Sequence, residues 1–293
     1  MLSLFQEVNT AFPWFFTSAF FVLGSVVGSF LNVCIYRIPN GESVVSPGSH
    51  CACGKPIPIW LNVPVLAWLF LRGKAACCGR KISLRYPAVE LLTALVFAAS
   101  WYFLPWDIAV PAMIFSAFAI VLAFIDWDTM FLPDSVNASF VLAGLMCSAA
   151  FPSLLGTENA IEGLFSGIVG LGVGSMTAYW FRYFASLVFR REAMGEGDVI
   201  LLGGIGAFLG WEGALFSFFF SSFIGLFAVL LARIFSPRKT TESGEGKISP
   251  EEADADGNES SPFPLGPWLI LAAVVYFVVG AKLIALYFAA LGA

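Results

Sequence analysis

The residues of this chain best suited to chemistry are carboxylates at the edges of apolar runs and a small group of cysteines. Asp198 closes Met194-Gly195-Glu196-Gly197-Asp198, directly ahead of the apolar stretch Val199 to Gly210. Asp126 follows Ala123-Phe124-Ile125 and precedes Trp127-Asp128, with Leu132-Pro133-Asp134 shortly after. A charge at the bilayer centre costs about 2.5–3.5 kcal/mol on insertion scales, so such a residue needs a reason. One reason is structural. Asp198 stands where a helix starts, Asp134 after a proline reads as a helix N-cap, and Asp128 can be solvated at a helix end. The other reason is catalytic. Two carboxyls held close together share one proton, so one can take a proton from water while the other protonates a carbonyl or a leaving amine. Asp126 and Asp198, on different helices at one depth, are the candidate pair for peptide-bond hydrolysis. Spacing alone makes such a dyad possible and no more.

Positioning these groups is the task of membrane helices. Hydrophobic residues make up 59% of the chain and charged residues 12%, against about 25% charged in soluble domains. The class is therefore an all-α polytopic membrane protein, in contact with a lipid bilayer. Hydropathy and turn signals give eight spans, at about 14–36, 87–104, 108–125, 135–152, 160–181, 199–211, 213–235 and 266–290. The sixth is short and glycine-rich, so it is expected to be tilted, broken or only partly spanning. Residues 1–12 lack a basic n-region and the first span is too long for an h-region, so no cleavable signal peptide is expected.

Sidedness follows from the basic residues. Segments 37–86, 182–198 and 233–265 hold 14 of the 15 Lys and Arg, while the opposite loops carry only Glu7, Asp107, Glu158 and Glu212. The positive-inside rule then places both termini outside and those three segments in the cytoplasm. The loop from Asp126 to Asp134 faces the same way, so all four aspartates lie at the inner face. The expected units are a first helix (1–36), a cytoplasmic basic domain with cysteines (37–86), a six-helix core (87–235), an acidic linker (236–265) and a last helix (266–293). The linker carries seven Asp or Glu between Glu242 and Glu259 and is expected to be solvated and disordered. No nucleic-acid partner is expected.

Cys34 and Cys147 fall in apolar helices, where a cysteine is a small packing residue. Cys51-Ala52-Cys53 and Cys77-Cys78 cluster in the basic loop. In a reducing compartment the alternatives to a disulfide framework are free thiols or a metal, and four thiolates suit tetrahedral zinc. His50 could be a further ligand or a solvated loop residue.

Several motifs occur in a fixed order: Gly28-Ser-Phe-Leu-Asn-Val-Cys-Ile-Tyr-Arg-Ile-Pro39, Asn62-Val-Pro64, Arg72-Gly73, Tyr86-Pro-Ala-Val-Glu-Leu91, Ile125-Asp-Trp-Asp128 with Leu132-Pro-Asp134, and Gly195-Glu-Gly-Asp198. This ordered set resembles the type IV prepilin peptidases, up to about residue 235. The resemblance implies a GxGD aspartyl protease of the bacterial inner membrane. Asp126 and Asp198 match its two catalytic positions, and its active site lies at the cytoplasmic face. The implied substrates are the prepilins of type IV pili and the pseudopilins of type II secretion, cut after a glycine. It also implies methylation of the new N-terminus by S-adenosylmethionine, with no binding residues assigned. Gly195 and Gly197 can take positive φ and let an extended substrate backbone approach closely. The nearby Gly203, Gly204, Gly206 and Gly210 suit close helix packing. Two departures stand out. Ile200 replaces the lysine usual two positions after the second aspartate. The cysteine pairs are also altered from the Cys-x-x-Cys form that suits zinc, with one residue between Cys51 and Cys53 and Ala75 where a cysteine would lead the second pair.

Glu90 reads either as a functional carboxylate or as a residue of a helix's first turn, and Arg37 as a topology anchor. The rival functions are an ion-coupled transporter, a non-catalytic assembly scaffold and a peptidase without methylation. Transporters place polar groups near the midplane, whereas these acids cluster at one edge.

Overall fold

A computed structural model describes residues 11–51, 53–190, 194–235 and 264–280. Among the described residues the chain is helical throughout, with isolated bridges His50–Pro56 and Lys74–Lys81 in place of strands. The helices are α1 (Pro13–Arg37), α2 (Leu66–Phe70), α3 (Arg85–Phe103), α4 (Trp106–Thr129), α5 (Asp134–Ala150), α6 (Ala160–Phe189), α7 (Glu196–Phe235) and α8 (Gly266–Val275). Five of them (α1, α3, α4, α6 and α7) are long and apolar enough to cross a membrane, and α5 and Gly266–Gly280 are shorter apolar helices.

Gly210 divides α7. Its φ of 73° and ψ of 178° interrupt the helix. A Cβ placed on Gly174 of α6 would touch both the Leu202 carbonyl oxygen and the Ala214 Cβ, which a straight helix would hold about 18 Å apart. The chain therefore turns back at Gly210, the one place in α7 that uses glycine's left-handed freedom. The arm from Glu196 to Leu209 is about 20 Å long, less than the roughly 30 Å hydrocarbon core. The short glycine-rich sixth span is thus a partial one, and with both arms counted the fold is the expected eight-span all-α membrane protein.

Small residues set the packing. Gly24 and Gly28 bring α1 onto the backbone of α3, and Gly170 of α6 meets the Gly206 carbonyl of α7 with no room for a side chain. Between these pairs Phe115, Phe140 and Phe208 of α4, α5 and α7 stack into the core, with ring centroids 5.2–5.7 Å apart. Helix α8 packs against α4 and α7, and its Leu269, Ala272 and Ala273 are fully buried.

Two boundaries differ from expectation. Helix α6 runs to Phe189 rather than 181, which places Arg182 inside the helix, where it pairs with Glu196 at 3.0 Å. Helix α4 runs to Thr129, so Asp126 and Asp128 are helical and the inner loop shrinks to residues 130–133. A helix continues where its backbone bonds are protected, and α4 is covered here by α5 and α8. The linker expected at 236–265 lies outside the described residues except for its last two, as does the stretch expected to complete the last helix beyond residue 280.

The loop between α1 and α3 is pinned at its base. Arg37 is buried and donates to the carbonyls of Ser43 (2.9 Å) and Gly48 (3.4 Å), so it folds the loop start rather than serving only as a charge anchor. Glu90 lies beyond the first turn of α3 and accepts the Val65 N–H at 2.7 Å. Asn32 donates to the Tyr86 carbonyl at 3.0 Å. The Gly28, Asn32 and Arg37 positions of the first motif thus serve to join α1, α3 and the loop.

Candidate active site

Asp198 is the third residue of α7, and its carboxyl accepts the backbone N–H of Gly195, just ahead of the helix. This is the reach-back arm of a capping box, made by a side chain in the first turn. The carboxyl is buried, and its Oδ1 has no hydrogen-bond partner.

The glycine loop is seated from below by α5. A Cβ on Gly197 would lie 2.7 Å from the Leu132 Cβ. Asn137, fully buried on α5, donates its Nδ2 to the Gly197 carbonyl at 3.0 Å. The Leu132-Pro133-Asp134 and Gly195-to-Asp198 motifs are therefore one contact. Neither Gly195 nor Gly197 adopts a positive φ, so the conformational freedom open to them is not used here. Gly197 is required by space, because Leu132 occupies the volume of a side chain, while Gly195 is exposed and has room.

Asp126 lies in the last turns of α4, only 5% exposed, and its Oδ2 accepts the Gly266 N–H at 2.9 Å. The two carboxyls are near enough for the charge of Asp126 to act on Asp198. The other two acids stand apart. Asp128 is exposed and pairs with Arg85, whose guanidinium lies 4.8 Å over the Phe124 ring. Asp134 is exposed as the first residue of α5. Pro133 holds the N-cap position, so the expected side-chain cap is absent, although the charge still faces the helix's positive end. Of these four aspartates, the fold buries two, Asp126 and Asp198. Ile200 is half-buried beside them.

The cysteines form a second constellation. The Sγ atoms of Cys51, Cys53, Cys77 and Cys78 all lie within 4.8 Å of one another. Cys51 and Cys78 are 3.5 Å apart, and Cys53 and Cys77 are 3.4 Å apart. Four sulfurs about 2.3 Å from a central zinc would be spaced close to these values, so the donor set fits tetrahedral zinc despite its altered spacing. Two turns built on Gly54 (φ 81°) and Gly79 (φ 68°) bring the pairs together. The Cys51 thiol is lowered to about 6, chiefly by the Cys53 amide and then by Cys77 and Cys78. Cys77 is pushed up to about 12, chiefly by its bond to Cys51. His50 is outside the group, with its Nδ1 3.1 Å from the Gly48 carbonyl oxygen. Cys34 and Cys147 are buried packing residues, as expected.

A cavity of about 340 Å³ opens between α1, α4 and α5, lined by Phe30, Phe118, Val121 and Ser139 among others. Its lining carries no charged side chain, so it does not suit the charged amino-acid end of S-adenosylmethionine.

Asn137, Leu132 and Gly266 escaped the reading of the sequence. Asn137 carries a faint signal, an amide inside an apolar run, but Gly266 and Leu132 act through a backbone amide and through bulk.

Comparison with known proteins places these motifs. Residues 22–104 match the bacterial peptidase A24 N-terminal domain, and residues 113–230 match the type IV leader peptidase family. A prepilin leader peptidase/N-methyltransferase of Myxococcus xanthus is 40% identical over 223 residues, which are 74% of this chain and 64% of that relative. A type 4 prepilin-like proteins leader peptide-processing enzyme of Escherichia coli is 37% identical, covering 72% of this chain and 81% of the relative. A prepilin leader peptidase/N-methyltransferase of Pectobacterium carotovorum is 32% identical, covering 92% of this chain and 95% of the relative. No solved structure matches the chain. On its two family matches and its near full-length relatives, this chain belongs to the type IV leader peptidase family.

Proposed function

We propose that this chain is an inner-membrane aspartyl endopeptidase. It removes the leader from type IV prepilins and type II secretion pseudopilins at the cytoplasmic face, after a glycine, and methylates the new N-terminus. Asp126 and Asp198 form the catalytic dyad. The single observation that carries this reading is the burial of two neighbouring carboxyls on different helices. The pair holds one proton between its two carboxyls. The ionised carboxyl takes a proton from water as that water attacks the scissile carbonyl carbon. The neutral one protonates the carbonyl oxygen, and the proton then passes to the leaving amine as the C–N bond breaks.

The loop at 37–86 is a separate unit of the molecule, and the span at 87–235 supplies both aspartates. Cys51, Cys53, Cys77 and Cys78 would hold zinc, which would close the loop as a structural crosslink. S-adenosylmethionine would supply the methyl group. The discriminating experiment incubates membranes containing the protein with a leader-bearing prepilin and the methyl donor. Leader loss should disappear in Asp126→Ala and in Asp198→Ala, and wild-type cleavage by either variant would sink the dyad. Mass spectrometry of the mature N-terminus reads methylation.

A further inference from the structure

We propose that Gly266, the first residue of α8, is a positioning residue for Asp126, an inference that rests on Asp126 being catalytic. Gly266 is buried and donates its N–H to Asp126 Oδ2 at 2.9 Å from 140 positions away. As the first residue of α8 its amide is one of those a helix leaves unpaired, so the bond takes nothing from the helix and turns its positive end toward the carboxyl.

Space makes a second, independent case. A Cβ at Gly266 would lie 2.7 Å from Asp126 Oδ2 and 3.1 Å from its Cγ. Any other residue here would push the carboxyl out of its place. The donor is held firmly, because Leu269, Ala272 and Ala273 anchor α8 in the core without touching this requirement. The two aspartates are thus held alike, each by one backbone N–H at the start of a different helix: Gly195 for Asp198 and Gly266 for Asp126. A displaced carboxyl should slow the chemical step and leave substrate binding alone.

The test uses the full chain in membranes, a leader-bearing prepilin, and four proteins: wild type, Gly266→Ala, Pro267→Ala and Asp126→Ala. Gly266→Ala should lower kcat by about 10- to 100-fold, the scale of a small misplacement of a catalytic group. Its KM should stay within about twofold and its Tm in detergent should match wild type. Pro267→Ala, which keeps the amide and adds no bulk at Asp126, should stay within about twofold in kcat. A Gly266→Ala variant with wild-type kcat overturns the inference. So does a loss shared by Pro267→Ala, or one that comes with a fall in Tm, since either marks α8 as merely structural. Wild-type cleavage by Asp126→Ala overturns the dyad itself and the inference with it. Loss in Asp126→Ala beside full rate in Gly266→Ala overturns the inference alone.

Discussion

Asn137 on α5 donates to the carbonyl of Gly197 at 3.0 Å across 60 positions of sequence, and so ties the segment after Asp126 to the loop before Asp198. Asn137→Ala removes this part-buried bond, at a cost of about 0.5–1.5 kcal/mol. The rate of leader removal in membranes should fall on the order of tenfold. Asn137→Asp sets a carboxylate against a carbonyl oxygen and should be worse. A wild-type rate in Asn137→Ala would show that the glycine loop holds itself.

Asp126 and Asp198 should separate cleanly from Asp128. Asp126→Asn and Asp198→Asn should each lower cleavage by about 10²–10⁴-fold, the scale of a lost acid or base. Asp128→Asn breaks only an exposed pair with Arg85, worth about 0–1 kcal/mol, and should cleave within a few-fold of wild type. Time courses of prepilin processing with each variant make the comparison. An inactive Asp128→Asn would require a different pairing.

The two motif glycines should differ in the same assay. Alanine at Gly197 meets the Leu132 Cβ at 2.7 Å, whereas at Gly195 it meets only Asp198 Oδ2 at an ordinary 3.4 Å. Gly197→Ala should therefore lose most activity and Gly195→Ala little, with the order reversed if substrate approach at Gly195 governs the rate.

Zinc bound to purified protein, measured by elemental analysis, should drop to background in the Cys77→Ser/Cys78→Ser double variant and after treatment with a strong chelator. Unchanged metal content in the double variant would rule out this site.

In the metal-free protein the thiols should react unequally. With its thiol lowered to about 6, Cys51 is ionised at pH 7, while Cys77, pushed up to about 12, stays protonated. Iodoacetamide should label Cys51 first, and labelling of Cys51 should fade as the pH falls through about 6. Peptide mass spectrometry reads the order. Equal rates at both cysteines would mean that the cluster does not form without metal.

What the amino-acid order determined by itself was whatever rests on bulk solvation and local pattern. Apolar runs long enough for a bilayer set the helices, because an unpaired peptide group in hydrocarbon is too costly. Lysine and arginine asymmetry set their sidedness. The ordered motifs marked Asp126 and Asp198, and the cysteine pairs marked the loop cluster. Tertiary structure alone decided which of four similar aspartates are buried together, and which groups hold them. Gly266 acts through a peptide N–H that every residue but proline possesses, and Leu132 through volume that any apolar stretch could offer. Asn137 works only because α5 brings it under a loop 60 positions away. A glycine does not say which distant side chain fills its space or accepts its amide, so these contacts become visible only when the chain has closed on itself.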